Sequence, residues 1–220
     1  MSHDPSLILD YRGMYPFWDG GVRKVRDFSG YGNHGTPANF VGDDSEYVDT
    51  NVFQGLDLSG TKHLNLGDIL NYTVESFSFE FLIRPTSIAI SPFLLYKGTW
   101  NVSGYNIYIH NTGRIHIDTC QTGISQGTSS VAGEVNIGLS SHIAIVRFGS
   151  SINIFNNGRE VAYNAVGVHL NPGSNSEDCL IGRHPTLARN FGGIFSIGKS
   201  WNRALSPGEI YNNYINRMRV

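Results

Sequence analysis

The stretch Ser76–Arg84, SFSFEFLIR, constrains the fold more than any other part of this chain. Phe77, Phe79, Phe81 and Ile83 fall on one side of an extended backbone, with Ser76, Ser78, Glu80 and Leu82 on the other. A helix would scatter the three rings around its circumference. A strand gathers them into one apolar face, which must find a second layer to bury it. Pro85 follows and cannot donate to a β-ladder, so the strand is expected to end there.

The same period recurs between turn signals. Tyr105–His110 and Arg114–Cys120 flank Asn111-Thr112-Gly113, in which glycine supplies the positive φ of a three-residue hairpin loop. Ser141–Phe148 and Ser151–Phe155 are joined by Gly149-Ser150, and Asn156-Asn157-Gly158 turns the chain into Arg159–Tyr163. Shorter strands are expected at Leu7–Tyr11, Tyr47–Asp49, Gln54–Leu58, His63–Leu66, Pro92–Tyr96, Cys179–Gly182 and Gly193–Ile197. One helix stands out near the C-terminus. Ser206 is its N-cap, Pro207 its first residue, Glu209 completes the capping box, and Ile210, Tyr214 and Met218 form its apolar stripe.

Composition agrees with short strands and tight turns. Charged residues make up 15% of the chain, against about 25% in average soluble proteins. Glycine occurs 26 times, well above the ~15 that average usage gives. No repeat or linker divides the sequence, so one domain over residues 1–220 is expected, with its core at about 7–214. The fold class is all-β: a two-sheet antiparallel sandwich with one short C-terminal helix.

Several function classes drop out. A net charge of −2 without Lys/Arg clusters gives no footprint for nucleic acid. No apolar run approaches the ~20 residues that span a bilayer, so membrane insertion is not expected. The opening MSHDPSLILDYRG lacks the basic and apolar segments of a secretory signal. Two cysteines, Cys120 and Cys179, are too few for a disulfide framework; they are either buried thiols or a single bridge.

Motifs at both ends carry a family resemblance. Asp27-Phe28-Ser29-Gly30-Tyr31-Gly32-Asn33-His34-Gly35-Thr36 resembles the D-x-S-G-x-G-N-x-G-T stretch that opens laminin-G-like jelly rolls of the concanavalin A-like group. Gly192-Gly193-Ile194, then Trp201-Asn202-Arg203-Ala204-Leu205-Ser206-Pro207-Gly208-Glu209-Ile210, is similar to the closing G-x-I and Y-N-R-A-L-S-x-x-E-I of that family. The expected strands lie between them in order, so the resemblance implies a jelly roll from about Leu7 to Tyr214. Ser196-Ile197-Gly198 stand where many relatives carry acidic residues, which weakens any acidic role there.

Three site hypotheses follow. The resemblance implies a structural calcium ion in the loops, for which Asp27, Asn33, Asp43 and Asp44 (with Glu46 nearby) are the oxygen-bearing candidates. For a glycan, Trp100 in the polar loop KGTWNVSG is the best stacking ring, with Tyr96, Asn101 and Tyr105 close in sequence. Asn106, Tyr108 and His110 share the strand face opposite Ile107 and Ile109 and are placed to line an open sheet. For catalysis, the paired carboxylates of jelly-roll glycosidases, E-x-D-x-x-E, are missing, and Arg114-Ile115-His116 only faintly echoes a polysaccharide lyase. His116 and Asp118 do share one strand face. Asn71-Tyr72-Thr73 and Asn101-Val102-Ser103 fit the glycosylation acceptor pattern, but without a secretory signal neither is read as modified.

The function expected is therefore non-enzymatic recognition at a virion or extracellular surface, as in a phage decoration or tail-associated protein. Its partner would be a glycan, a shell or tail protein, or a second copy in a homo-oligomer. The alternatives are a carbohydrate-binding module of a larger secreted protein and a divergent polysaccharide lyase or glycosidase.

Overall fold

The computed structural model describes residues 7–10, 17–42, 44–50, 53–74 and 76–218. Two antiparallel sheets of eight strands each face one another. The first runs Arg159–Glu160, Ser151–Asn156, Ser141–Phe148, Ser76–Ser87, Gly192–Trp201, Phe53–Asp57, Tyr47–Thr50, and Leu7–Asp10 also pairs with Gly192–Trp201. The second runs Tyr163–Ala165, Ile124–Ser130, Ile115–Gln121, Ser103–Ile109, Phe93–Thr99, Leu180–Ile181, His63–Asn65, Thr36–Ala38. Phe17–Asp19 and Val22–Lys24 make a separate small hairpin. This is the jelly-roll sandwich expected from the sequence.

The strand singled out at the start lies at the centre of the first sheet, with Phe79 opposite Ile145 on one side and Ser200 on the other. Phe77, Phe79 and Phe81 are buried between the sheets. Tyr105, from the facing sheet, brings its ring 5.3 Å from both Phe77 and Phe79, and its hydroxyl donates to the Leu70 carbonyl. Full burial of each such ring stabilises by about 1.5–3 kcal/mol, and this cluster ties the two layers together.

Pro85 does not end its strand, which continues to Ser87. Pairing with Ser141–Phe148 has already stopped at Ile83, and on the other side the bulge at Gly192/Gly193 absorbs the proline. The missing N–H therefore falls where no regular ladder requires it. At the predicted hairpin, Gly113 has φ +78°, and a Cβ there would lie 2.5 Å from the Val135 carbonyl oxygen. Cys120 and Cys179 are buried free thiols; burial pushes them up to about 11 and about 12, respectively.

The helix α1, Pro207–Met218, covers part of the first sheet's outer face. Its capping box is reciprocal: the Ser206 N–H donates to Glu209 Oε2 at 2.8 Å, and the Glu209 N–H donates to Ser206 Oγ at 3.3 Å. Arg203 adds a two-point ion pair to Glu209, at 2.7 and 3.2 Å. Ile210 is buried against Ala144, Val146, Phe155, Trp201 and Leu205. Further along, the Asn213 amide donates to both oxygens of the buried Glu80, which lies 3.7 Å from the buried His142 imidazole. Tyr214 is half-buried, and the Met218 side chain is outside the described residues. Because helix and sandwich meet here, the outer face of the second sheet is the better place to look for a ligand.

Candidate functional site on the outer face of the second sheet

Directly opposed residues in a sheet share a face, so the register fixes what this surface presents. Phe93, Tyr108 and His116 lie in one row, and Leu180, Tyr96, Asn106, Asp118 and Gly127 in the next. Phe93, Tyr96 and Leu180, with Tyr108 packed on them, form an apolar cluster separate from the main core. Phe93 and Tyr96 are its buried floor, while Tyr108 and His116 are half-exposed. Tyr108 stacks on His116 at 4.5 Å with 26° between the rings, and His116 Nε2 lies 3.0 Å from Asp118 Oδ1. Gly127 makes room for that pair: a Cβ there would come within 2.8 Å of both Asp118 Oδ1 and His116 Nε2. Burial pushes the Tyr108 phenol up to about 12, with the nearby Asp118 as a smaller contribution, so at neutral pH it is a hydroxyl that donates or accepts.

The segment 183–191 folds across this floor from far away in sequence. Arg189 sits 4.6 Å from the Phe93 ring centre and 5.0 Å from that of Tyr108, and its Nε donates to the Ser91 carbonyl at 2.9 Å. His184 meets the Tyr96 ring edge-on at 4.5 Å, and burial followed by the nearby Arg189 lowers its pKa. Beside Tyr96 opens a cleft of about 460 Å³, lined by His63, Asn65, Asp178 and Arg183 among others. Asn65 donates to Asp178 Oδ2 at 2.7 Å, which ties this wall together. Rings, a guanidinium, carboxylates and amides thus lie along one band. Such a band can lie against the C–H faces of a sugar while bonding its hydroxyls.

The sequence-derived glycan candidates divide. Trp100 stands at the tip of the hairpin after Phe93–Thr99, 55% exposed, and its backbone N–H donates to the Tyr96 hydroxyl at 3.2 Å. Asn101 takes the left-handed conformation of that tip, with φ +59°, and its carbonyl accepts from the Gly123 N–H. Tyr96 and Tyr108 belong to the band. His110 is half-buried at the end of its strand, where Nδ1 lies 2.9 Å from Thr112 Oγ1. Tyr105 is the exception, since its side chain lies between the sheets and presents nothing to solvent. Arg183, His184, Arg189, His63, Asn65 and Asp178 were not foreseen. Only the folded chain brings them to this face.

Of the calcium candidates, Asp27 and Asn33 lie within the described residues. Asp27 is buried, and its carboxylate accepts four bonds: Oδ1 from the Ile8 and Ser29 N–H groups, and Oδ2 from the Ser29 hydroxyl and the Asn33 N–H, all at 2.7–2.9 Å. Through these four bonds the Asp27 carboxylate holds the turn from Ser29 to Asn33 together, and a cation bound to it would have to displace some of those donors. Glu46 is buried against Arg23, with Oε2 3.6 Å from the guanidinium. Asp43 lies outside the described residues, as does the side chain of Asp44, whose backbone opens a 3-10 turn. Among the described residues, no group of three or more His, Cys, Asp or Glu gathers to hold a metal.

The profile of the laminin-G-type family described as the concanavalin A-like lectin/glucanases superfamily matches residues 58–211. The chain belongs to this family. Among curated proteins, none matches by sequence. Solved structures share the fold at low identity. The binding domain of Paraclostridial Mosquitocidal Protein 1 superposes with a TM-score of 0.71 and 13% identity, over 97% of this chain and 52% of that one. The botulinum neurotoxin serotype G binding domain gives 0.67 and 19%, over 97% and 51%. The serotype D ligand binding domain, solved in complex with N-acetylneuraminic acid, gives 0.67 and 14%, over 97% and 51%. The chain therefore spans about half the length of each. Among the described residues, no helix is long and apolar enough to cross a membrane.

Proposed function

We propose that this concanavalin A-like domain is a non-enzymatic carbohydrate-recognition module whose ligand lies along the outer face of the second sheet. The observation that carries this reading is the band from Asn65 through Tyr96 and Tyr108 to Asp118, where the half-exposed rings of Tyr108 and His116 lie over a buried aromatic floor, beside groups that bond hydroxyls. Family membership and the likeness to toxin binding domains support it. The sialic acid of the serotype D complex supports the ligand class but not its position, because this chain matches only about half of that domain.

The superfamily also contains glucanases, so catalysis is the competing reading. On this band Asp118 is hydrogen-bonded to His116 rather than facing a second carboxylate at the ~5–5.5 Å of a retaining pair. A setting on a virion or other extracellular surface, with adhesion to glycans there, remains part of the proposal. A glycan array tests the core of it. The wild type should bind selectively and Tyr108→Ala should lose most of that signal. Release of reducing ends or unsaturated products from polysaccharides would overturn the non-enzymatic reading.

A further inference from the structure

Positive charge gathers at one end of the sheet-face band, in a chain whose net charge is −2. Beyond the Tyr108–His116 pair the hairpin continues, and the His110 N–H donates to the Arg114 carbonyl at 2.8 Å. Strand parity therefore sets Arg114 on the same outer face as His116 and Asp118. Arg189 reaches this end from the far segment and covers the rings of Phe93 and Tyr108. Burial first, then the charges of Arg114, His116 and Arg189, lower the pKa of His110, so both guanidinium groups act on one imidazole.

Among the described residues, neither guanidinium has a carboxylate partner. Arg114 is half-buried and makes no side-chain hydrogen bond to them, and its Nε is shielded from water without an acceptor. Arg189 donates from Nε to the Ile90 and Ser91 carbonyls, at 3.2 and 2.9 Å, while its two terminal nitrogens bond no described residue. The neighbouring carboxylates are engaged elsewhere. Asp118 is bonded to His116, and Glu134, beyond the Gly113 turn, accepts from the Asn156 amide at 3.3 Å. Glu177 and Asp178 line the cleft beside Tyr96, where Arg183 accompanies them.

A half-buried cation without a partner is costly, and a second like charge nearby adds repulsion. An anion supplied by a ligand relieves both. Guanidinium forks fit the paired oxygens of a carboxylate or a sulfate through two-point, charge-assisted hydrogen bonds. The Tyr108 ring beside them offers a face for the sugar that carries such a group. We propose that the band is selective for acidic saccharides, with Arg114 and Arg189 binding the carboxylate or sulfate next to Tyr108. This inference rests on the reading of the band as a carbohydrate site and adds the charge of its ligand.

The test is an array of matched neutral, sialylated, uronic-acid-containing and sulfated oligosaccharides, read with the wild type, Arg114→Gln, Arg189→Gln and Tyr108→Ala. The wild type should bind acidic glycans about tenfold or more tightly than their neutral counterparts, and each arginine variant should shrink that advantage by about tenfold. Added salt should weaken the acidic signals as well. Arg189 also anchors its own segment to the Ser91 loop, so Arg114→Gln is the decisive variant; it breaks no side-chain hydrogen bond to a described residue and should keep the wild-type melting temperature. The proposal is overturned if neutral glycans bind as tightly as acidic ones, or if Arg114→Gln leaves the acidic advantage intact. Glycan binding that Tyr108→Ala still abolishes would then leave the carbohydrate site standing, whereas the absence of any signal that depends on Tyr108 would remove both.

Discussion

Mild acid should destabilise this protein through one buried histidine. His169 is 1% exposed and hydrogen-bonded at both ring nitrogens, Nδ1 with Thr119 Oγ1 and Nε2 with Thr128 Oγ1, each at 2.8 Å. Burial first, and the Arg147 charge second, lower its pKa from 6.5 to about 4. In the unfolded chain the imidazole takes up a proton near pH 6.5; in the fold it resists until about pH 4. Its contribution is therefore fully present above pH 6.5 and is lost as the pH falls through that window. One proton corresponds to about 1.4 kcal/mol per pH unit, so the window is worth about 3 kcal/mol. Urea denaturation from pH 7 to pH 4 measures the slope, and His169→Gln removes the titrating group. The lowered pKa values of His63 and His184 act in both proteins and cancel in the difference. Identical pH slopes for the wild type and His169→Gln would rule out His169 as the source of the acid sensitivity.

Other perturbations probe separate parts of the fold. Asn213→Ala strips Glu80 of a two-oxygen donor in a buried setting and should cost about 1.5–3 kcal/mol in chemical denaturation. Phe79→Ala removes a ring at the centre of the aromatic cluster, and a loss of about 3–5 kcal/mol is expected by the same measurement. Glu209 is held down from 4.5 to about 2, chiefly by Arg203, so its contribution is present above pH 4.5 and lost as the pH falls through about 2. Because its side chain is 42% exposed, screening should limit that contribution to about 1 kcal/mol, read as the difference between wild type and Glu209→Gln at pH 6 and pH 2. Melting with and without EDTA should give the same midpoint, since Asp27 is occupied by protein donors; a rise with added calcium would locate an ion elsewhere.

The sandwich was legible where alternation was strong and turns were glycine-rich, as in Ser76–Arg84 and the hairpin around Gly113. It was obscured where strand residues are polar on both faces. Ile124–Ser130, ISQGTSS, shows no apolar alternation, yet it pairs with Ile115–Gln121 and buries Thr128, Ser129 and Ser130. Its place depends on partners distant in sequence, such as His169 against Thr128. Pro85 misled because a local rule about donors does not reveal where the neighbouring strand stops.

The candidate site divides in the same way. Tyr108, His116 and Asp118 follow from strand parity, since each shares a face with its cross-strand neighbour. The same parity places Tyr105 with Ile107 and Ile109 in the core, so grouping it with Trp100 by closeness in sequence was misleading. Arg189, His184 and Asp178 carry no local signal. Asp178 meets Asn65 across 113 positions, a contact only the fold creates. Residue type alone marked Asp27 as an oxygen ligand, and its second role, accepting the N–H groups of the turn that contains it, shows only in the fold.

A carbohydrate-recognition role on the second sheet is decided by where a glycan contacts the protein. Amide and side-chain chemical shifts, followed by NMR while the strongest array ligand is titrated in, give that directly. Shifts are expected to centre on Tyr96, Tyr108, His116 and Asp118 and to be lost in Tyr108→Ala. Shifts confined to the helix-covered face of the first sheet, or the absence of any glycan that binds, would contradict that role.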